Sequence, residues 1–138
     1  MRMASGAAVK QSHWRRLRTT ISGAGWVPPG LAGIDFDAAV VLKCTAPLSM
    51  SSASNVIVIP AARRSDTAPF GFAHLPGGER RETPVSMSTD TATLTAVGGA
   101  VGYSVCWYPQ LNVYAQAPTQ TADPARGSVS WELVAEEI

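Results

Sequence analysis

Charge is scarce in this chain. Only 15% of its 138 residues are Asp, Glu, Lys or Arg, while 46% are hydrophobic; globular domains usually carry about a quarter charged residues. Scarce charge at ordinary hydrophobicity excludes a disordered chain and fits a surface partly covered by other subunits. The net charge of +1 provides no global field favouring nucleic acid or membrane. No apolar run approaches about eighteen residues, which excludes a spanning helix. Ala4 to Val9 is too short and too weakly apolar for a signal-peptide core. The two cysteines, Cys44 and Cys106, are far apart and form no C-x-x-C pair, which excludes a disulfide framework and a cysteine-rich zinc site. Both fall in expected strands, where a free cysteine acts as a small buried hydrophobe. Whether they pair is open from sequence. His13 and His74 are the only histidines and show no ligand spacing, so no metal or cofactor is expected.

What charge there is lies unevenly. Arg2, Lys10, Arg15, Arg16 and Arg18 occupy residues 1–20 with no acid among them, while Glu132, Glu136 and Glu137 end the chain with no base. The two ends can pair within one chain, or the basic arm of one copy can meet the acidic end of the next. Phosphate contact would need aromatic residues interleaved with the bases, and apart from Trp14 these are missing. No nucleic-acid partner is expected.

Four sections follow along the chain. Residues 1–20 form a basic arm, with Val9, His13, Trp14 and Leu17 at helical spacing. So short a helix is marginal alone, so Trp14 must pack on its own domain or on a neighbour. Residues 21–38 are rich in Gly and Pro, which excludes a helix and reads as an ordered loop anchored by Trp26, Leu31 and Phe36. Residues 39–60 hold two strand candidates, one through Val40, Leu42, Cys44 and Ala46 and one from Asn55 to Ile59. Residues 61–83 read as a long polar loop bracketed by Arg63-Arg64 and Arg80-Arg81. Phe70 and Phe72 within it suggest an insertion lying against another surface. From residue 84 onward the alternation is regular: Thr91 to Ala96, then Tyr103, Val105 and Trp107, then Leu111, Val113 and Ala115, and finally Ser128 to Ala135. Pro109 lacks an amide donor and must sit at an edge or a bulge, within one kinked strand or between two. Six or seven strands joined by Gly/Pro/Ser turns imply an all-β domain over residues 21–138, a β-sandwich or small barrel.

Catalytic patterns are weak. There is no G-x-S-x-G elbow. His74 with Asp66 or Asp90 and a nucleophile can be drawn, as it can for almost any sequence. Asp35 and Asp37 read as turn-capping carboxylates. The expectation is not an enzyme.

The run Gly25-Trp26-Val27-Pro28-Pro29-Gly30-Leu31, followed by Ile34-Asp35-Phe36 and a strand with Cys44 and Pro47, resembles small tail proteins of long-tailed bacteriophages. Tyr103, Trp107-Tyr108-Pro109, Leu111, Val113 and the ending Trp131 to Ile138 add to the likeness. It spans most of residues 14–60 and 101–138 and leaves out the 61–83 loop. The resemblance implies a structural virion subunit, a minor tail or baseplate protein made in the bacterial host cytoplasm and present in several copies. Its partners would be copies of itself and neighbouring tail proteins, with no membrane and no catalytic residues. The expected interface residues are Trp14, Arg15, Arg16 and Arg18 on the arm, Arg63, Arg64, Phe70 and Phe72 in the loop, and Glu136 and Glu137 at the end. A head–tail connector or tail-terminator subunit is the alternative within this class. A receptor- or carbohydrate-binding β-sandwich is the alternative from another class, and exposed tryptophans in a groove would favour it.

Overall fold

Alternating polar and apolar residues extend as strands, because period-two patterning buries one face of a pleated ribbon. The computed structural model describes residues 16–138 and contains twelve strands. They are β1 (Arg18–Ala24), β2 (Val40–Lys43), β3 (Leu48–Ser52), β4 (Val56–Val58), β5 (Phe70–His74) and β6 (Arg80–Thr83). β7 (Val85–Ser88), β8 (Thr91–Leu94), β9 (Gly102–Trp107), β10 (Gln110–Ala115), β11 (Thr119–Asp123) and β12 (Ser128–Glu137) follow. They form three antiparallel sheets, one of them a half-barrel. Among the described residues the only helical element is a 3-10 turn at Pro29–Leu31. The all-β expectation holds, but the expected six or seven strands become twelve. The helix expected over Val9–Leu17 lies outside the described residues, apart from Arg16 and Leu17.

The chain divides into two compact units: one from residues up to 40 together with 112 onward, the other from residues 41–111. In the first unit β12 is central. β1 pairs with it from Arg18 opposite Glu136 to Ala24 opposite Ser130. On its other side β11 runs from Thr119 opposite Glu132 to Asp123 opposite Ser128, and β10 places Val113–Ala115 against Ala135–Glu137. The inward parity is as the sequence indicates: Val113, Ala115, Leu133 and Ala135 are buried, while Ser128, Ser130, Glu132 and Glu136 are exposed. Gly23 lets the Trp131 indole lie across β1, since a Cβ there would sit 2.6 Å from the ring. Trp26 is not the anchor expected of it. After Gly25 donates its N–H to the Val129 carbonyl, its left-handed φ of 91° turns the chain away, and Trp26 is 74% exposed.

The second unit holds a four-stranded sheet, β3-β9-β5-β6, and a three-stranded sheet, β4-β8-β7. One core joins them: Ile57, Ala92 and Leu94 from the smaller sheet meet Ala73, Tyr103, Val105 and Trp107 from the larger, with Ile59 beside them. The 61–83 segment is not an unstructured loop. Its second half is the β5–β6 hairpin, turned by Pro76-Gly77-Gly78 with both glycines at positive φ and closed by Leu75 N–H to the Glu79 carbonyl at 2.8 Å. The reason lies in an inverted size pattern. Gly71 and Ala73 face the core, with Leu94 and Val85 filling the space above Gly71, and the large Phe70 and Phe72 point outward. Pro109 falls between β9 and β10 as an isolated bridge to Arg63, so the proline separates two strands that keep one phase.

Candidate functional site

Of the residues expected at interfaces, Trp14 and Arg15 lie outside the described residues. Arg16 is exposed. Arg18 pairs with Glu136 of the same chain at 3.6 Å, because β1 and β12 run antiparallel. Leu17 N–H donates to Glu137 Oε2 at 3.1 Å, and Glu137 N–H donates to the Leu17 carbonyl at 2.9 Å. At Leu17 and Arg18 the two ends therefore meet within one chain, through an exposed ion pair of the kind that contributes little.

Arg63 and Arg64 are tied internally. The Arg63 guanidinium donates to the Pro60 carbonyl at 2.6 Å, to the Thr89 carbonyl at 2.6 Å and to Asp90 Oδ1 at 2.8 Å. It thereby holds the β7–β8 turn, where Thr89 has a left-handed φ of 54°, uncommon for a β-branched residue. Arg64 grips Asp66 at 2.9 and 3.3 Å and reaches the Cys44 carbonyl at 3.2 Å. Lys43 Nζ completes the Asp66 site at 3.1 Å. Hydrogen bonds from Arg64 first and then Lys43 hold the Asp66 carboxyl well below the usual carboxylate range.

Phe70 and Phe72 belong to the outer face of the β3-β9-β5-β6 sheet. Register places Phe70 beside Cys106, Phe72 beside Ser104 and Glu82, and His74 beside Arg80. An aromatic row runs along this face. The rings of Phe72 and Phe70 meet edge-on at 5.9 Å, and Phe70 meets Tyr108 at 6.1 Å. A guanidinium closes each end, Arg80 at 4.8 Å over Phe72 and Arg64 at 5.9 Å over Tyr108. Beside the row, the Ser51 and Ser104 hydroxyls share a hydrogen bond at 2.8 Å, and Ser104 Oγ bonds His74 Nε2. This is a hydroxyl–imidazole pair. The acids that sequence could set behind His74 are occupied elsewhere, Asp66 by Arg64 and Asp90 by Arg63.

Sequence reasoning separates these groups because they come from four segments. Only the inverted alternation Phe70-Gly71-Phe72-Ala73 signals that aromatic rings face outward. Cys44 and Cys106 are free, half-buried thiols, and burial pushes both up against the opposing pull of Arg64 and Arg80 respectively. In the first unit, a polar groove of about 650 Å³ crosses the outer face of β1, β12 and β11, lined by Ser22, Thr119, Thr121, Ser130 and Glu132.

The sheet edges differ sharply in chemistry. β6 carries Arg80, Arg81 and Glu82 on its edge, the usual guard against unwanted pairing. β3 and β4, the edge strands at one end of each sheet in this unit, come from a stretch with no charged residue between Lys43 and Arg63. Leu48 and Met50 on β3, and Val56 and Val58 on β4, are exposed, Val58 to 66%. Among the described residues no group of His, Cys, Asp and Glu could hold a metal ion, and no helix is long and apolar enough to cross a membrane.

No family model, no curated protein and no solved structure matches the chain.

Proposed function

We propose that this chain is a structural subunit of a tailed-phage virion, a minor tail or baseplate protein that assembles in several copies and contacts neighbouring tail proteins. We read the facing sheets of its second unit as a sandwich. The observation that carries the reading is the pair of unguarded edges. Open strands template pairing with other chains, and proteins that stay single blunt them with charge, proline or a bulge. β3 and β4 instead expose Leu48, Met50, Val56 and Val58. Burying such side chains in an assembly contributes roughly 25 cal/mol per Å² of apolar surface removed from water. The connector or tail-terminator alternative shares this observation and differs only in position.

Sedimentation velocity over a concentration series tests the assembly. The full chain should associate, and Val58→Lys or Met50→Lys should shift it to monomer while the far-UV circular dichroism stays unchanged. A chain that is monomeric alone and also fails to join purified tails would overturn the reading. Removing residues 1–15 tests the arm separately. The cut must stop there, because Arg18–Ala24 is β1 itself.

A further inference from the structure

The outer face of the β3-β9-β5-β6 sheet carries more chemistry than packing requires. Arg80 stacks on Phe72, and among the described residues no carboxylate or carbonyl bonds its guanidinium. A stacked guanidinium is oriented in advance and keeps its fork of donors free for a planar oxyanion. His74 sits directly across the ladder from Arg80, and direct cross-strand neighbours have Cβ atoms about 5 Å apart. Ser104, itself bonded to Ser51, holds His74 Nε2. When Ser104 donates to Nε2, Nδ1 carries the proton and can donate outward beside Arg80. The half-buried rings of Phe72, Phe70 and Tyr108 continue from this point as an apolar strip.

We propose that this face binds a carboxylated saccharide, with Arg80 and His74 holding the carboxylate and the sugar's apolar face lying against Phe70 beside the Arg80–Phe72 stack. The inference differs from the assembly reading, which rests on the β3 and β4 edges, and shares with it only Ser51 of β3.

Three observations select the ligand class. First, only one guanidinium on the strip is unpaired, since Arg64 is committed to Asp66 and Arg81 to Glu79. Glu82 also stands beside Phe72. Arg80 can compensate one carboxylate, whereas the further charges of a run of phosphates would go uncompensated and be repelled by Glu82. Second, β9 and β5 are inner strands whose backbone groups are spent on neighbouring ladders. An extended peptide, which gains affinity by pairing with a sheet edge, finds nothing there. Third, the exposed Ser51 hydroxyl, whose proton goes to Ser104 in this arrangement, keeps a lone pair that can accept from a sugar hydroxyl.

The test uses the full chain. Side-chain NMR signals of Arg80 and His74 are followed against sialyllactose, trigalacturonate, lactose and acetyl-trialanine. Sialyllactose or trigalacturonate should bind and shift both signals, with lactose and the peptide weaker by about 10-fold or more. Arg80→Gln should weaken binding by about 10-fold, and His74→Gln several-fold, with the remaining amide spectrum unchanged. Lactose binding as tightly as the acidic sugars would overturn the carboxylate assignment, and the peptide doing so would overturn the saccharide. Silence toward both acidic sugars at about 10 mM, or indifference to Arg80→Gln, would overturn the site.

Discussion

Replacing Arg63 by alanine should destabilise the second unit by about 2–3 kcal/mol. The side chain makes three charge-assisted contacts at 2.6, 2.6 and 2.8 Å. The Pro60 and Thr89 carbonyls lie near water and would be partly resolvated, so each lost bond counts for about 0.5–1.5 kcal/mol. Asp90 is 41% exposed, which limits its ion pair to the order of 0.5 kcal/mol. The left-handed Thr89 backbone, which costs about 1 kcal/mol, adds nothing to this loss, because freeing it relieves strain. Arg63→Lys keeps the charge, but one ammonium on a flexible stem cannot serve three acceptors and should recover less than half. Urea unfolding reads the effect. With a slope of about 1.5 kcal/mol/M, the midpoint falls by roughly 1.3–2 M for alanine at an unchanged slope. A loss under about 0.5 kcal/mol for alanine, or lysine as stable as arginine, would refute the clamp.

Gly71→Ala should cost about 1–3 kcal/mol, because its Cβ would lie 2.4 Å from Leu94 Cδ2 and 2.9 Å from Val85 Cγ2; adding Leu94→Val should return part of the loss in the same denaturation assay, and a neutral Gly71→Ala would contradict the packing. Asp66 has its folded pKa depressed, so its contribution is complete above the ordinary carboxyl value of 3.8 and is lost as pH falls below it. Asp66→Asn should accordingly be less stable near neutrality yet lose less between about pH 4 and 2 in thermal melts, and a parallel pH profile would sink the assignment. Cys44 and Cys106 should react with a chromogenic disulfide at pH 8 more slowly folded than in urea. Arg80→Gln should slow Cys106 further by removing the pull that opposes burial, and a faster Cys106 would reverse that attribution.

The parts of the fold legible in sequence are those where burial follows size. In β9, β10 and β12 the large apolar residues face inward, and Tyr103, Val105, Trp107, Leu111, Val113 and Leu133 are buried as their parity predicts. Sequence reading fails where the rule inverts or where a partner supplies the order. β5 buries glycine and alanine and exposes phenylalanine. β1 and β11 have little apolar alternation of their own and are strands because β12 lies between them. Trp26 fails for a backbone reason: Gly25 sends it outward where hydrophobicity alone sends it in. The aromatic face draws on β3, β5, β6 and β9, so only the register brings Arg80 to His74 and Ser104 to Ser51. The arginines that sequence treats as surface charges were hidden by the same logic. A guanidinium reads as solvated until the turn it clamps is known.

The discontinuity of the first unit has a consequence for the order in which the molecule can form. The second unit is one unbroken stretch and can close as soon as residue 111 clears the ribosome. The first cannot. Leu17 and Glu137 are joined by one backbone hydrogen bond and one from the Leu17 N–H to the Glu137 carboxylate, yet stand 120 residues apart, and β12, the partner of both β1 and β11, is translated after them. At about 5–20 residues per second, β1 waits on the order of ten seconds with no strand to pair with. A nascent chain stalled before Ser128 would therefore carry a finished second unit beside two orphaned strands. Emergence of the ten residues of β12 is the event that makes the first unit a folded object.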